Sequence, residues 1–324
     1  EQKLILWLAR HGGDLHDLLA DFIERQLSEI GKWERQGESA KLEELRRQSP
    51  QAIPRMALRP IWRLLLTGRV RAGSGSSFDL YQWFDRFRRD GLTASLRLAL
   101  RELLAPRITL REPFRAMDEV EEGEGAERLK LLVDWELVLS TDNVHSLFRE
   151  CSVERWHDVL PLLGDDFTTL LRDALDIMSE LGAATTESDL SYLFRPSISD
   201  HEQNRDFYDW TALIELARDA WLATADVDTH QALSIAVKWW SFDYPLFRRL
   251  TFFAATRDDV VPAERALGWL LASNGWWLWS TETEREAMQL LSSLAPRLDA
   301  AQRTRLNQAI QAGPPREMYG DDVE

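Results

Sequence analysis

Cysteine is almost absent from this 324-residue chain, which contains only Cys151. No disulfide can therefore form within the chain, and the fold must be held by apolar burial and hydrogen bonds. Because chains without disulfides are typical of reducing compartments, we expect a cytoplasmic protein. Long apolar runs are absent as well, since no uncharged stretch approaches the roughly 20 apolar residues of a membrane helix. We therefore expect no membrane partner.

The short motifs that mark the common enzyme classes are also missing. The sequence has no Walker-type phosphate loop, no glycine fingerprint of dinucleotide-binding folds and no serine nucleophile elbow. It has no Cys-x-x-Cys pair and no His-Glu-x-x-His run, which are common zinc spacings. The sequence therefore predicts no catalytic residue, no cofactor-binding residue and no metal ligand, and we expect no enzyme activity in this chain.

The six histidines are scattered, and the sequence gives each an ordinary structural interpretation. His11 and His16 stand on different faces of any helix, and Asp14 between them suits the cap of the next helix. His145 and His157 fall on predicted helices among polar neighbours, where ordinary hydrogen bonding accounts for them.

Charge is distributed unevenly along the chain. Residues 1–115 hold 21 Lys and Arg against 15 acids, whereas residues 116–324 hold 18 against 39. The net charges of +6 and −21 add up to the −15 of the whole chain. Residues 46–115 alone contain fifteen Arg, no Lys and five acids. The favoured interpretation is that this block packs against the acidic remainder of the chain or a neighbouring domain.

Nucleic-acid binding is the alternative for the arginine block. Arg86, Arg88 and Arg89 alternate with Phe84 and Phe87, and basic side chains with aromatic neighbours can bind single strands by charge and stacking. On a helix, however, the phenylalanines share an apolar stripe and the arginines lie on the outer face. The net charge of −15 also argues against nucleic acid as the main partner.

Helical periodicity dominates the sequence and predicts an all-α fold, an irregular α-solenoid of antiparallel helix pairs. We divide the chain into an Arg-rich helical section (1–116), an acidic linker (117–126), a Trp-rich acidic helical-repeat section (127–313) and a tail (314–324). The helices run about 10–16 residues and are joined by short turns. No strict period of 34 or 40 residues indicates a regular repeat family.

Several local predictions can be compared directly with the structure. Residues 107–114 are the one candidate strand, and residues 128–140 are predicted as a helix. Gly164 is predicted to end one helix, and Asp165 or Asp166 to cap the next. Two capping boxes are predicted, Ser199 with Glu202 and Thr281 with Glu284.

Tryptophan is the compositional outlier, with 14 residues, eight of which lie between 210 and 279. Trp276, Trp277 and Trp279 occupy a short connection between a helix stop at Asn274-Gly275 and a helix start at Ser280. The favoured interpretation is that Trp276 and Trp279 seal a gap in the core, against Trp239, Trp240 or Trp269. The alternative is that Trp277 is exposed and anchors a partner.

Three phrases of the chain carry a resemblance to a known group: "RPSISDHEQNRDFYDWTALIELARDAWL", "YPLFRRLTFFAAT" and "WLWSTETEREAMQLL". They resemble the helical C-terminal regions of large bacterial anti-phage defence proteins, of the STAND NTPase (Avs-like) or sirtuin-fused kind. The resemblance covers residues 50–324. It implies a region that senses a viral protein, while an NTPase or NAD-consuming effector elsewhere in the parent does the chemistry. No position here matches the catalytic residues of those proteins.

Together these observations predict a non-catalytic protein-recognition region, which we expect to be a piece of a larger defence protein. Trp276, Trp277, Trp279, Arg86, Arg88 and Arg89 are the candidate partner-binding residues. A scaffold that makes intramolecular or self-association contacts is one alternative, and nucleic-acid binding through residues 46–115 is another. An enzyme without a recognisable motif is the third. The sequence indicates no oligomeric state.

Overall fold

A computed structural model describes residues 1–11, 17–38, 40–41, 44, 56–73, 75–113, 129, 132–151 and 154–319. Within these residues the chain forms fifteen α-helices and one two-stranded sheet, so the predicted helical class is confirmed. None of the described helices combines the length and the apolar character that crossing a lipid bilayer requires.

The helices are numbered in chain order. They are α1 (Gln2–Arg10), α2 (Asp17–Arg35), α3 (Arg59–Leu66), α4 (Phe78–Asp90), α5 (Ala94–Leu103), α6 (Val144–Cys151), α7 (Glu154–Glu180), α8 (Ser191–Phe194), α9 (Ala212–Val227), α10 (Thr229–Trp240), α11 (Pro245–Ala255), α12 (Ala263–Leu270), α13 (Ala272–Trp279), α14 (Glu284–Leu294) and α15 (Ala300–Ala312).

The sheet consists of β1 (Pro106–Arg111) and β2 (Asp134–Leu139), which pair antiparallel with Ile108 opposite Leu137. The candidate strand within 107–114 is thus confirmed, but the helix predicted for residues 128–140 is wrong. Leu137 and Leu139 are buried and Asp134 is exposed, which is the two-residue alternation of a half-buried strand. Pairing with β1, a non-local contact, decides between strand and helix for this short apolar run.

Helix α7 is one continuous helix, so the predicted stop at Gly164 and the predicted caps at Asp165 and Asp166 are wrong. Pro161 lies inside it and removes one hydrogen bond of the ladder. The helix continues because it packs along α9, where a Cβ built on Gly164 would lie 3.7 Å from the Cβ of Ala220. Tertiary packing outweighs the local stop signals here.

Neither predicted capping box forms. Ser199 lies in an irregular segment, in which the Asn204 side chain accepts from Ser197 N at 3.0 Å and donates to the carbonyls of Ser197 and Ser199. Helix α14 begins at Glu284, after Thr283 rather than Thr281. The Thr283 hydroxyl donates to Trp277 O at 2.6 Å instead of capping its own helix. In both places a polar side chain, that of Asn204 or of Thr283, donates to a carbonyl outside the predicted capping box. The spacing of residues in the sequence cannot reveal such contacts.

One contiguous apolar core extends from Ile5 in α1 to Leu306 in α15. The Arg-rich and Trp-rich sections share this core, and they also share the sheet. The acidic linker at 117–126 lies outside the described residues, as does the tail from residue 320. Helices α9, α10 and α11 pack on their sequence neighbours, whereas α7 packs on α9 and α11 on α14. A solenoid therefore stays a prediction.

A fully buried ion pair lies between α11 and α14. Arg249 Nε donates to Glu286 Oε2 at 2.8 Å, and its other nitrogens donate to Arg195 O and Ser191 Oγ. Glu286 Oε1 also accepts from Ile198 N at 2.9 Å. Because both side chains are almost wholly excluded from water, each charge depends on the other. The pair ties the irregular segment 182–211 to two helices.

A second polar contact holds the other end of the same segment. Asp189 is buried and accepts from Leu246 N, at the start of α11, at 2.6 Å, and from Ser191 N at 2.9 Å. Glu282, also buried, accepts from Ser188 Oγ at 2.5 Å. Burial raises the pKa of the Glu282 carboxyl, and the nearby Asp189 carboxylate raises it further.

We predict that Glu286→Ala lowers the free energy of unfolding by about 3–5 kcal/mol, because it leaves the Arg249 charge buried without a partner. The double variant Arg249→Met with Glu286→Leu removes both charges and should lose less. Urea unfolding followed by tryptophan fluorescence measures both. A single variant that costs under about 1 kcal/mol would contradict the assigned role.

The raised pKa of Glu282 gives a pH prediction. Between its ordinary value of 4.5 and the raised value, the folded state binds the proton more tightly than the unfolded chain. Stability is therefore lost as pH rises through this window, by about 1.4 kcal/mol for every pH unit between the unfolded and folded pKa values. The Glu282→Gln variant should have the same free energy of unfolding as the unsubstituted chain near pH 4 and a higher one at pH 7. Unfolding curves at both values test this, and a Gln variant that is equally or less stable at pH 7 would refute it.

Candidate functional site

The tryptophan connection is mostly a core structure. Ser273, Asn274 and Gly275 have positive φ, which confirms the left-handed helix stop, and Trp276–Trp279 form the turn that follows. Trp277 is 7% exposed, so the alternative that made it an exposed anchor is wrong. Trp276 and Trp279 are half-buried and pack against the core, as the favoured interpretation expects.

Arg248 joins this turn to two other tryptophans. Its guanidinium lies 4.3 Å from the ring centre of Trp240 and 5.5 Å from that of Trp277. Trp240 in turn stacks on Trp269 at 5.8 Å. Burial lowers the pKa of Arg248, partly offset by Asp243. The cluster thus holds a cation of its own chain, and Trp240, Trp276 and Trp279 are half-buried and keep some surface that a partner could touch.

Four arginines of the arginine block pair with acids of helix α7. Arg63 pairs with Glu180 at 2.8 Å, Arg69 with Asp173 at 3.4 Å, and both Arg97 and Arg101 with Asp166. These contacts match the interpretation in which the block packs against the acidic part of its own chain. Asp166, predicted as a helix cap, is instead a nearly buried acceptor for two arginines.

Helix α4 presents the remaining candidate arginines. Phe84 and Phe87 are buried, and Arg86, Arg88 and Arg89 are exposed, as the amphipathic pattern predicts. Arg88 binds Asp85 at 2.9 Å, and Arg89 donates to the Asp85 carbonyl. The three arginines lie far from the tryptophan turn in sequence, and no described contact joins the two groups. Their role in partner binding stays a prediction.

A charged cleft of about 810 Å³ lies between α6, the first turns of α7, and α9. Its apolar wall includes Phe148, Trp156 and Leu216, and its polar wall carries His145, Arg149, His157, Asp200, Glu215, Arg218 and Asp219. The cleft is the natural place to look for chemistry, because it combines apolar surface with titratable groups.

His145 is the most buried titratable residue of the charged cleft, and both its ring nitrogens contact protein groups. Nδ1 donates to Glu215 Oε2 at 2.9 Å, and Nε2 lies 2.9 Å from Thr211 Oγ1. Burial alone would raise the pKa of Glu215, but the bond from His145 and the charge of Arg195 bring it below its ordinary value. No ring nitrogen is left to accept a proton from a substrate.

The other charges of the cleft are paired in the same way. Arg218 donates to Asp219 and to Asp200, each at 2.7 Å, and to Ile198 O at 3.0 Å. Burial raises the pKa of Asp219, against the lowering effect of Arg218. These closed pairs position the irregular segment against α9. They do not form a nucleophile with a free base.

Three residues could in principle hold a metal ion, since His145, Asp206 and Glu215 bring ligand atoms within 4.8 Å of one another. The same carboxylates, however, already bind two arginines: Arg195 contacts both, and Arg149 contacts Asp206. Two guanidinium groups would repel a divalent cation at this position. The donor set is therefore better suited to an ion-pair network than to a metal.

Apolar side chains are exposed on the opposite side of the irregular segment. Phe207 is 80% exposed, and Leu190 and Tyr208 are partly exposed. Tyr208 contacts Phe194 edge to face, with ring centres 5.1 Å apart. Leu190, Phe194, Phe207 and Tyr208 are called the apolar rim below. They border two cavities that lie along β2.

Sequence reasoning missed both the ion-pair network and the apolar rim. His145 and Glu215 are 70 residues apart, so no local spacing signals their contact. The sequence predicts a capped helix for the segment that holds Asp206 and Phe207, whereas the structure has an irregular loop there. Only the alternation of Trp135, Leu137 and Leu139 could have revealed the strand beside the rim.

No family model, no curated protein and no solved structure matches this chain.

The two adjacent acids of α7 provide a matched prediction. Asp166→Asn should lower the free energy of unfolding by about 1.5–3 kcal/mol, because a nearly buried charged acceptor of Arg97 is lost. Asp165→Asn is the control, since its pair with Lys238 is largely exposed and is worth about 0–1 kcal/mol. Urea unfolding of both variants tests the difference. Equal losses would show that the arginine block does not depend on Asp166.

Proposed function

We propose that this chain recognises a partner protein, as the non-catalytic sensor region of a larger bacterial antiviral defence protein. The observation that carries the proposal is the exposed Phe207, which borders an open cavity together with Tyr208, while Tyr208 and Leu190 border a second one. An aromatic side chain held at 80% exposure on an ordered segment gains nothing from the fold itself. Exposed aromatic groups beside a cavity are typical of protein interfaces.

The closed charge pairs of the cleft support binding over turnover. A catalytic group needs a free acid, base or nucleophile, whereas His145, Glu215 and Arg218 are each bonded to other protein groups. The pairing of Arg63, Arg69 and Arg97 with α7 also reduces the positive surface available to nucleic acid. Binding energy would then act by changing the state of the parent protein.

The defence context comes from the resemblance of the helical phrases and defines the experiment. The chain is used as bait in lysates of phage-infected and uninfected bacteria, and the captured proteins are identified by mass spectrometry. We expect one viral protein to be enriched from infected cells. Phe207→Ser should reduce its capture at least tenfold, because an interface aromatic is worth about 2 kcal/mol or more.

The matched control is Tyr319→Ser, since Tyr319 is also a half-exposed aromatic but lies near the C-terminal end of the described chain. Capture that Phe207→Ser leaves intact would remove the apolar rim from the interface. Capture from neither lysate would favour the scaffold alternative. Capture that nuclease treatment abolishes would favour nucleic acid, and Arg86→Glu would then be the variant to test.

A further inference from the structure

We propose that the outer edge of β2 is the docking site for an extended segment of the partner protein, which adds to the sheet as a third strand. This inference rests on the proposed function and names how the partner would bind. The partner segment would carry apolar side chains at alternate positions and basic side chains between them.

Among the described residues, the β1 edge of the sheet is hydrogen-bonded, backbone to backbone, to a further segment, and the β2 edge, called the open edge below, is not. On the β1 side, Arg71 N donates to Ile108 O and Ile108 N donates to Arg69 O, both at 2.8 Å. Ile108 therefore points its amide and carbonyl away from β2. In an antiparallel sheet, two residues directly opposite each other either both form hydrogen bonds across the pair or both point their amides and carbonyls outward, and the two kinds of pair alternate along the strands. Leu137, the partner of Ile108, therefore points its amide and carbonyl away from β1, and so does Trp135, two residues earlier. Among the described residues, no hydrogen bond satisfies these outward groups of Leu137 and Trp135.

A cavity follows this open edge. A groove of about 560 Å³ is lined by all of Asp134, Trp135, Glu136 and Leu137. Successive side chains of a strand point to opposite faces, so this groove touches residues of both faces of β2. A second cavity of about 430 Å³ is lined by Glu136, Leu137 and Val138 of β2 and also by Thr109, Leu110 and Arg111 of β1, and Tyr208 borders both cavities.

The groove offers an apolar floor on the core side of the sheet. Met178, Ala183, Phe194 and Trp210 lie there, together with the inward side chains of β2. A third strand would point every second side chain into this floor, next to Trp135 and Leu137. Leu190 at its border has φ 55°, a left-handed conformation that costs a leucine about 1–2 kcal/mol. The fold thus holds an apolar side chain at the groove despite this cost.

The charges along the edge indicate the other positions of the partner segment. β2 carries two acids, Asp134 and Glu136, and no basic residue. From β1, Arg111 already binds Glu136 at 3.1 Å. Asp134 is exposed and has no ion pair among the described residues. A new strand with basic residues beside Asp134 would bring to the open edge the kind of charge that β1 brings to the other edge, where Arg107 and Arg111 flank Ile108, Thr109 and Leu110.

The probe is a fluorescein-labelled peptide of alternating arginine and isoleucine, seven residues long, titrated with the full 324-residue chain and followed by anisotropy. Backbone pairing is tested with the same peptide N-methylated at alternate residues, which removes its strand donors and keeps its charge. We expect saturable binding, and at least a tenfold loss on N-methylation. A peptide with glutamate in place of arginine should also bind at least tenfold more weakly.

Two variants place the site on the protein. Leu190→Asn tolerates the left-handed backbone but makes the groove polar, and Asp134→Lys reverses the exposed edge charge. Each should weaken binding of the peptide about fivefold or more. Glu317→Lys, an exposed charge reversal in the C-terminal part, is the matched control and should leave binding unchanged. Circular dichroism melts confirm that all three variants fold.

Three results would overturn the proposal: no binding, equal binding of the N-methylated peptide, or equal binding by Leu190→Asn and Asp134→Lys. The capture experiment separates this failure from failure of the proposed function. If the chain still captures a viral protein while the peptide does not bind, recognition stands and uses another surface. If the peptide binds and no protein is captured, the open edge is real and the sensor role is not.

Discussion

The buried pair of Arg249 and Glu286 is the contact on which the arrangement of the C-terminal helices depends. Water reaches neither side chain, so each charge is stable only beside the other. Through it, α11, α14 and the irregular segment 182–211 are fixed in one geometry, because the donors and acceptors come from all three. A long segment whose only α-helix is the four-residue α8 can therefore stay ordered on the surface of a helical protein.

The ordered segment 182–211 has charged side chains on one side and exposed apolar side chains on the other. On one side its carboxylates Asp200 and Asp206 pair with His145, Arg149 and Arg218 of the charged cleft. On the other side it presents Phe207 and Tyr208 beside the edge of β2. The same backbone thus carries paired polar groups on one side and exposed apolar groups on the other. Ion pairs satisfy the polar groups, whereas large exposed apolar groups are typical of binding surfaces.

The Arg-rich and the acidic parts of the sequence also lie against each other in the structure. Arginines from α3, α5 and the chain between them meet acids of α7, so opposite halves of the composition become neighbours in space. Since several of these pairs are partly exposed, each contributes modestly, and the shared apolar core carries more of the stability. The net charge of −15 then belongs mainly to surfaces outside this contact.

Helical class, most helix positions, the buried stripe of α4 and the stop at Asn274-Gly275 followed from the sequence, because apolar periodicity and left-handed residues act locally. Tertiary structure decided what local signals could not. Pairing with β1 made residues 134–139 a strand, packing against α9 carried α7 through Gly164, and burial turned Trp277 inward. The exposure of Phe207 and the open edge of β2 also depend on contacts between residues that are distant in sequence. No short stretch of sequence includes both residues of such a contact, so local patterns cannot predict it.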